Sequence, residues 1–161
     1  MTTFCLWAAD ILPLLATLGT FIYGVKNFFK KGKAYYLQIV TMGMGCYAMG
    51  SFYHLCQSIT TGDLADGFTA AYLGRIGFFL FFIAASYGQM DRIVDDGTPT
   101  SRPSRYIALI APVCAALLYI PTAHIVDFSI STHVSVLLVW IPALFSVYFN
   151  LKHAIIPDCD F

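Results

Sequence analysis

The chain has 161 residues, 58% of them hydrophobic and only 11% charged, and its nine Lys and Arg are balanced by nine Asp with no Glu. A soluble domain carries about 25% charged residues, so this composition excludes an ordinary water-soluble fold and assigns the excess apolar surface to lipid. Zero net charge excludes neither sign of partner, because in a membrane protein the distribution of charge matters more than the sum; nucleic acid is not expected. Five cysteines (Cys5, Cys46, Cys56, Cys114, Cys159) form no CxxC pair and no metal-ligand spacing, so neither zinc nor a dithiol redox motif is indicated.

The sequence predicts an all-α, polytopic membrane helix bundle in one integral membrane domain covering 1–161, with five spans at about 4–25, 34–58, 67–90, 106–123 and 133–151. A span needs roughly 20 apolar residues. The start, MTTFCLWAAD, has no basic n-region and the apolar segment behind it is long, so a cleaved signal peptide is not expected. The first two spans are separated by KNFFKKGK, the second and third by ITTGDLADG, and the third and fourth by DRIVDDGTPTSRPSR. The turn HIVDFSIST closes the fourth, and a short tail follows the fifth. Pro112, Pro121 and Pro142 interrupt the last two spans and leave their boundaries least defined; Pro142 predicts a kink there.

Orientation follows from the basic residues. The 26–33 loop holds four (Lys26, Lys30, Lys31, Lys33), the 91–105 loop three (Arg92, Arg102, Arg105) and the tail one (Lys152). The N-terminus and the other two turns hold none. With five spans these eight lie on one side, which gives an N-outside, C-inside, multi-pass protein of a plasma membrane. The ninth is Arg75, inside the third span. An odd span count also argues against two equal inverted halves within one chain.

Three helical stripes emerge at steps of three and four. Ala16, Thr20 and Gly24 form a small-residue stripe that reads as a helix contact. Tyr47, Gly50, His54 and Gln57 share a face of the second span, where Gly43 and Gly50 admit a close neighbour. Tyr72, Arg75, Phe79, Phe82 and Ser86 share a face of the third.

Arg75 sets the functional question. A charge at a helix centre costs about 2.5–3.5 kcal/mol on insertion scales, so it requires a partner or a wet cavity. At 1.5 Å rise per residue, Asp10 lies about 9 Å, His54 about 6 Å and Arg75 about 12 Å below the outer ends of their spans, and Gln57 lies slightly above them. Short loops make the first three spans expected neighbours. Asp10, His54, Gln57 and Arg75 are therefore the candidate ligand-binding residues, with Arg75 as a bidentate clamp and His54 as the titrating member. The same group read without a ligand is an interhelical brace. His124, Asp127 and His133 lie on the same outer side.

Other chemistry is weaker. Asp91, Asp95 and Asp96 form an inner-face cluster of the kind that holds Mg²⁺, but no second ligand motif accompanies it, and Arg92 and Arg102 can neutralise it. A haem needs two histidines at matching depth, whereas only His54 lies well inside a span; no cofactor is expected. Neither GxSxG nor HExxH occurs. Cys5 and Cys56 near adjacent outer ends are either a disulfide or two free thiols. The expected function is a sensory or ligand-binding membrane module that reads a small polar or anionic molecule from the outer side. A small-solute transporter or channel acting as an oligomer is the second reading, and a membrane enzyme using the Asp cluster the third. The expected partners are the lipid bilayer, the ligand, and a second copy or a membrane partner protein. The tail is too short for an output domain, so a sensor needs such a partner or a C-terminal extension.

Overall fold

A computed structural model describes residues 2–30, 32–61, 68–87, 102–126 and 129–155, with side chains described in these ranges except at 2–10, 61, 124 and 126. All nine aspartates fall outside the described side chains. Five helices run through the described residues: α1 (Thr2–Phe28), α2 (Tyr35–Thr61), α3 (Ala70–Ala85), α4 (Arg102–Val126) and α5 (Ile130–Ile155). Each coincides with one of the apolar segments of the sequence.

Burial runs opposite to that of a soluble protein. Leu12, Ile22, Met49, Leu80, Leu118 and Ile125 are among many large apolar side chains left exposed, whereas the buried apolar side chains described are Pro112 and four alanines, Ala48, Ala71, Ala85 and Ala108. Water would not tolerate such a surface. Small residues inside and large ones outside is the pattern of helices that pack by close backbone approach in lipid. Three helical stretches, Ile11–Phe28, Arg102–Ala123 and Ile130–Ile155, are long and apolar enough to cross a membrane, and α3 is a shorter apolar helix of 16 residues.

The prolines fall inside helices and end none of them. Pro13 lies within α1, Pro112 and Pro121 within α4, and Pro142 within α5. The last two helices run past the ends expected from sequence, to 102–126 and 130–155. A proline removes one ladder hydrogen bond, and in membrane helices hydroxyls and neighbouring helices compensate for that loss. Pro112 is itself buried. Near the prolines, Thr17 Oγ1 donates back to the Pro13 carbonyl at 2.7 Å and Thr122 Oγ1 to the Leu118 and Tyr119 carbonyls; these are not the carbonyls that Pro13 and Pro121 free, which belong to Ala9 and Leu117. The third span is shorter than expected at its start. Thr69, in extended conformation, precedes Ala70, and the helix passes into a π turn over 86–87.

The α1–α2 hairpin turns at Gly32, whose φ of 86° favours glycine. Gln38 Nε2 then donates to the Phe28 carbonyl at 3.1 Å and ties the start of α2 to the end of α1. The helices pack in the order α1, α2, α3, α5, α4, each touching only its neighbours in that row among the described residues. A Cβ on Gly24 would strike Thr41, and one on Gly45 would meet Phe21 at 2.8 Å. On the far side of α2, Gly50 lies against Gly74, where an added Cβ would meet the Gly74 Cα at 3.0 Å. With 100° per residue, Thr41 and Gly45 point almost opposite to Gly43, Cys46 and Gly50. So α1 and α3 occupy opposite faces of α2. The expectation that the first three spans are mutual neighbours is corrected: short loops bring each helix to the next one only, and α2 has two faces to offer.

Candidate functional site

The α2–α3 seam fixes the depth and side of the candidate residues. Gly50 and Gly74 stand at one level. Gly77 meets the Cys46 side chain on one margin, and Gly43 meets Phe78 and Phe82 on the other. Tyr47 and Phe78 touch on that second margin, with ring centroids 5.2 Å apart. His54 lies on the Tyr47 stripe two turns nearer the C-terminal end of α2, and Arg75 lies on the Phe82 stripe one residue past Gly74. His54 is displaced from Arg75 by about 7 Å along the axis, toward the N-terminal end of α3, and both are half-buried on the same margin.

Arg75 leans toward His54's level. Its guanidinium carbon stands 5.9 Å from the centroid of Tyr72, one turn nearer the helix N-terminus, and Tyr72 in turn stacks on Phe68 at 5.9 Å and 20°. That direction is the one helical side chains take, back over the preceding turn. A cation over an aromatic face gains about 0.5–2 kcal/mol, which offsets part of the cost of placing the charge in the bundle. Among the described residues, this ring contact is the interaction of the guanidinium.

The structure therefore brings His54 and Arg75 to one seam, with Gln57 one turn beyond His54. The side chains of His54 and Gln57 both engage partners. Asp10 belongs to α1, on the other flank of α2, and its side chain lies outside the described set. Asp91, Asp95, Asp96 and Asp127 lie outside the described residues, as does the side chain of His124. Cys56 is a free thiol.

Exposure shows that this margin is the more covered side of the helix row. On α2 the stripe Val40, Tyr47, Ser51, His54 is half-buried throughout, whereas Met42, Met49 and Tyr53 on the other side are exposed. On α3, Arg75, Phe79 and Phe82 are half-buried and Ser86 is 1% exposed, against 58% for Leu73 and 53% for Leu80 behind them. On α5, Thr132, Val136, Val139 and Ala143 are half-buried, and Val134, Ile141 and Phe145 are exposed. Helix α3 is the floor, with α2 and α5 as banks that do not touch each other among the described residues. Below Arg75 the floor is aromatic: Phe78 contacts Phe79 at 5.0 Å and Phe82 at 4.6 Å between centroids.

Three contacts escaped the sequence reading. In the first turn of α5, His133 Nδ1 stands 2.9 Å from Tyr119 OH across the α4–α5 seam. Trp140 Nε1 is buried on the same seam without a hydrogen-bond partner among the described residues. Lys152 is 4% exposed, with its ammonium 5.5 Å from the Phe149 ring and 5.9 Å from Tyr148, and it engages a further partner. The Tyr119–His133 pair joins two helices whose register no sequence spacing reveals. For Lys152, the signal was two aromatic residues in the preceding turn.

No family model, curated protein or solved structure matches the chain.

Proposed function

We propose that this protein is an integral membrane sensory or ligand-binding module that takes a small polar or anionic molecule from the outer side, with His54, Gln57 and Arg75 as its recognition residues. The observation that carries the reading is the position of Arg75: a half-buried permanent cation on the covered margin of α3, its head drawn over Tyr72 toward the level of His54. A guanidinium offers paired donors to a carboxylate or phosphate. Asp10 is not needed for this role.

The reading includes five spans in a plasma membrane, N-terminus outside. Helices α1, α4 and α5 supply length and apolarity, and α2 and α3 pack in the same row. Helix α2, 27 residues long, lies between α1 and α3. Ligand closing α2 onto α3 would shift the inner ends of α3 and α5, which meet at Tyr87 and Phe149 with centroids 5.6 Å apart, and so pass a signal to an inner partner.

Topology is checked with Lys33→Cys in a chain whose five native cysteines are replaced by serine. An impermeant maleimide should label it only after the cells are opened; labelling in intact cells reverses the orientation. Binding is checked with acetate, succinate and inorganic phosphate on the protein in nanodiscs. Arg75→Ala removes a charge-assisted hydrogen bond of about 1.5–3 kcal/mol, a loss of about ten- to a hundredfold in affinity. An anion bound equally well by Arg75→Ala ends the proposal.

A further inference from the structure

We infer that the molecule held at Arg75 is amphiphilic, a single-chain carboxylate whose head pairs with the guanidinium and whose acyl tail lies inward along the α3 floor. The inference rests on Arg75 being the anion clamp and adds the chemistry of the rest of the ligand.

Charge selects the head. The floor presents one cation, Arg75, which matches one monoanion, and the planar guanidinium fits the planar carboxylate. What lies beneath selects the tail. From Arg75 to Ser86 the floor runs 11 residues, about 16 Å, the reach of a medium to long extended acyl chain. Along that run the floor is Phe79 and Phe82, with Val139 and Ala143 on the α5 bank and Met44 on the α2 bank, all half-buried. A small hydrophilic anion at Arg75 would give up water and find only rings and methyl groups inward of its head. An amphiphile meets polar groups with its polar end and apolar groups with the rest. At the inner end of that run Ser86 is 1% exposed. The outer end is open at Phe68, 47% exposed. A molecule already partitioned into the outer leaflet has a short lateral path to that opening, with its head near the depth of His54.

The test is saturable binding of radiolabelled dodecanoate to the full chain in nanodiscs, corrected for empty nanodiscs, with affinities referred to free aqueous ligand. Dodecanoate should bind more tightly than octanoate and far more tightly than butyrate, by about fourfold for each methylene removed. Dodecanol should compete at least tenfold more weakly than dodecanoate. Arg75→Gln should lose tenfold or more, and Val139→Trp, which adds bulk on the α5 bank beside the tail, should shift the preference to shorter chains. The back-face variant Leu80→Ala should bind as wild type does. Butyrate or inorganic phosphate bound as tightly as dodecanoate overturns the amphiphile and leaves the small-anion reading standing. A two-chain anionic phospholipid that outcompetes dodecanoate also overturns the single-chain assignment. No saturable binding of any anion, or dodecanoate binding unchanged in Arg75→Gln, overturns both readings.

Discussion

Gly74→Ala should destabilise the bundle by about 3 kcal/mol, at the upper end of the usual cost of overpacking. A Cβ at this position would stand 2.6 Å from the Cys46 carbonyl oxygen, 2.6 Å from the Gly50 Cα and 2.7 Å from the Gly50 nitrogen. All three are backbone atoms, so no rotamer change relieves the clash, and the helices must separate by most of an ångström. Separation forfeits dispersion contacts along the whole seam, because a radial gap of that size loses about a quarter to a half of each contact's well depth. Where the contact is a side chain, relief is available: a Cβ on Gly24 would strike Thr41, which can turn, so Gly24→Ala should cost less. Gly19, with nothing within 4 Å of its added Cβ, is the control. Gly19→Ala should be neutral or stabilise by up to about 1 kcal/mol through helix propensity. Unfolding in mixed detergent micelles, followed by circular dichroism, gives all three values. A Gly74→Ala protein within 0.5 kcal/mol of wild type would mean that α2 and α3 are not held at this distance.

The glycines show which part of the packing is legible in sequence. Gly43 and Gly50 lie on one stripe of α2, and both are contact points: a Cβ on Gly43 would meet Phe81 Cβ at 3.1 Å and the Phe78 carbonyl at 3.3 Å. The stripe Ala16, Thr20, Gly24 is a different case. Only Gly24 is buried against α2, whereas Ala16 and Thr20 are exposed. Steps of four advance 400°, so each residue drifts 40° past the last and Gly24 ends 80° from Ala16. A straight neighbour cannot follow that drift. The five helical segments were visible because hydropathy acts locally, whereas Arg102 and Arg105, read as loop, lie in the first turn of α4. Which face of α2 receives α1 and which receives α3 was not visible, because both faces carry small residues.

The same limit shaped the site. Position along each helix can be counted from sequence, and the α2–α3 contact at Gly50 and Gly74 adds the register between the two helices. Counting along the axis says nothing of azimuth, and α1, which carries Asp10, flanks the other face of α2. The covered side needed three helices at once: His54 on α2, Arg75 on α3 and Val139 on α5 share it only because α3 packs between the other two. Tyr119 and His133 illustrate the point again, since their contact depends on the register of α4 against α5.

Arg75→Leu should abolish anion binding and leave the ligand-free bundle more stable, by about 1–2 kcal/mol. An arginine at a helix centre costs about 2.5–3.5 kcal/mol on insertion scales, and its cation–π contact with Tyr72 recovers about 0.5–2 kcal/mol of that. Leucine removes the cost and the contact together, and it is at home among the exposed leucines of α3. The sign of the change separates two roles for the same residue. In a brace, removing the cation strands its partner charge and costs about 3–5 kcal/mol. In a ligand clamp, the charge is a liability carried for binding, and its loss stabilises the empty protein. Binding supplies the complementary measurement, because a ligand that binds only the folded state raises stability by RT ln(1 + [L]/Kd). Wild type should therefore gain stability as dodecanoate is added, by about 2.7 kcal/mol at a hundred times Kd, and Arg75→Leu should not respond. A destabilised Arg75→Leu protein that still responds to the anion would assign Arg75 to the bundle and the ligand to other residues.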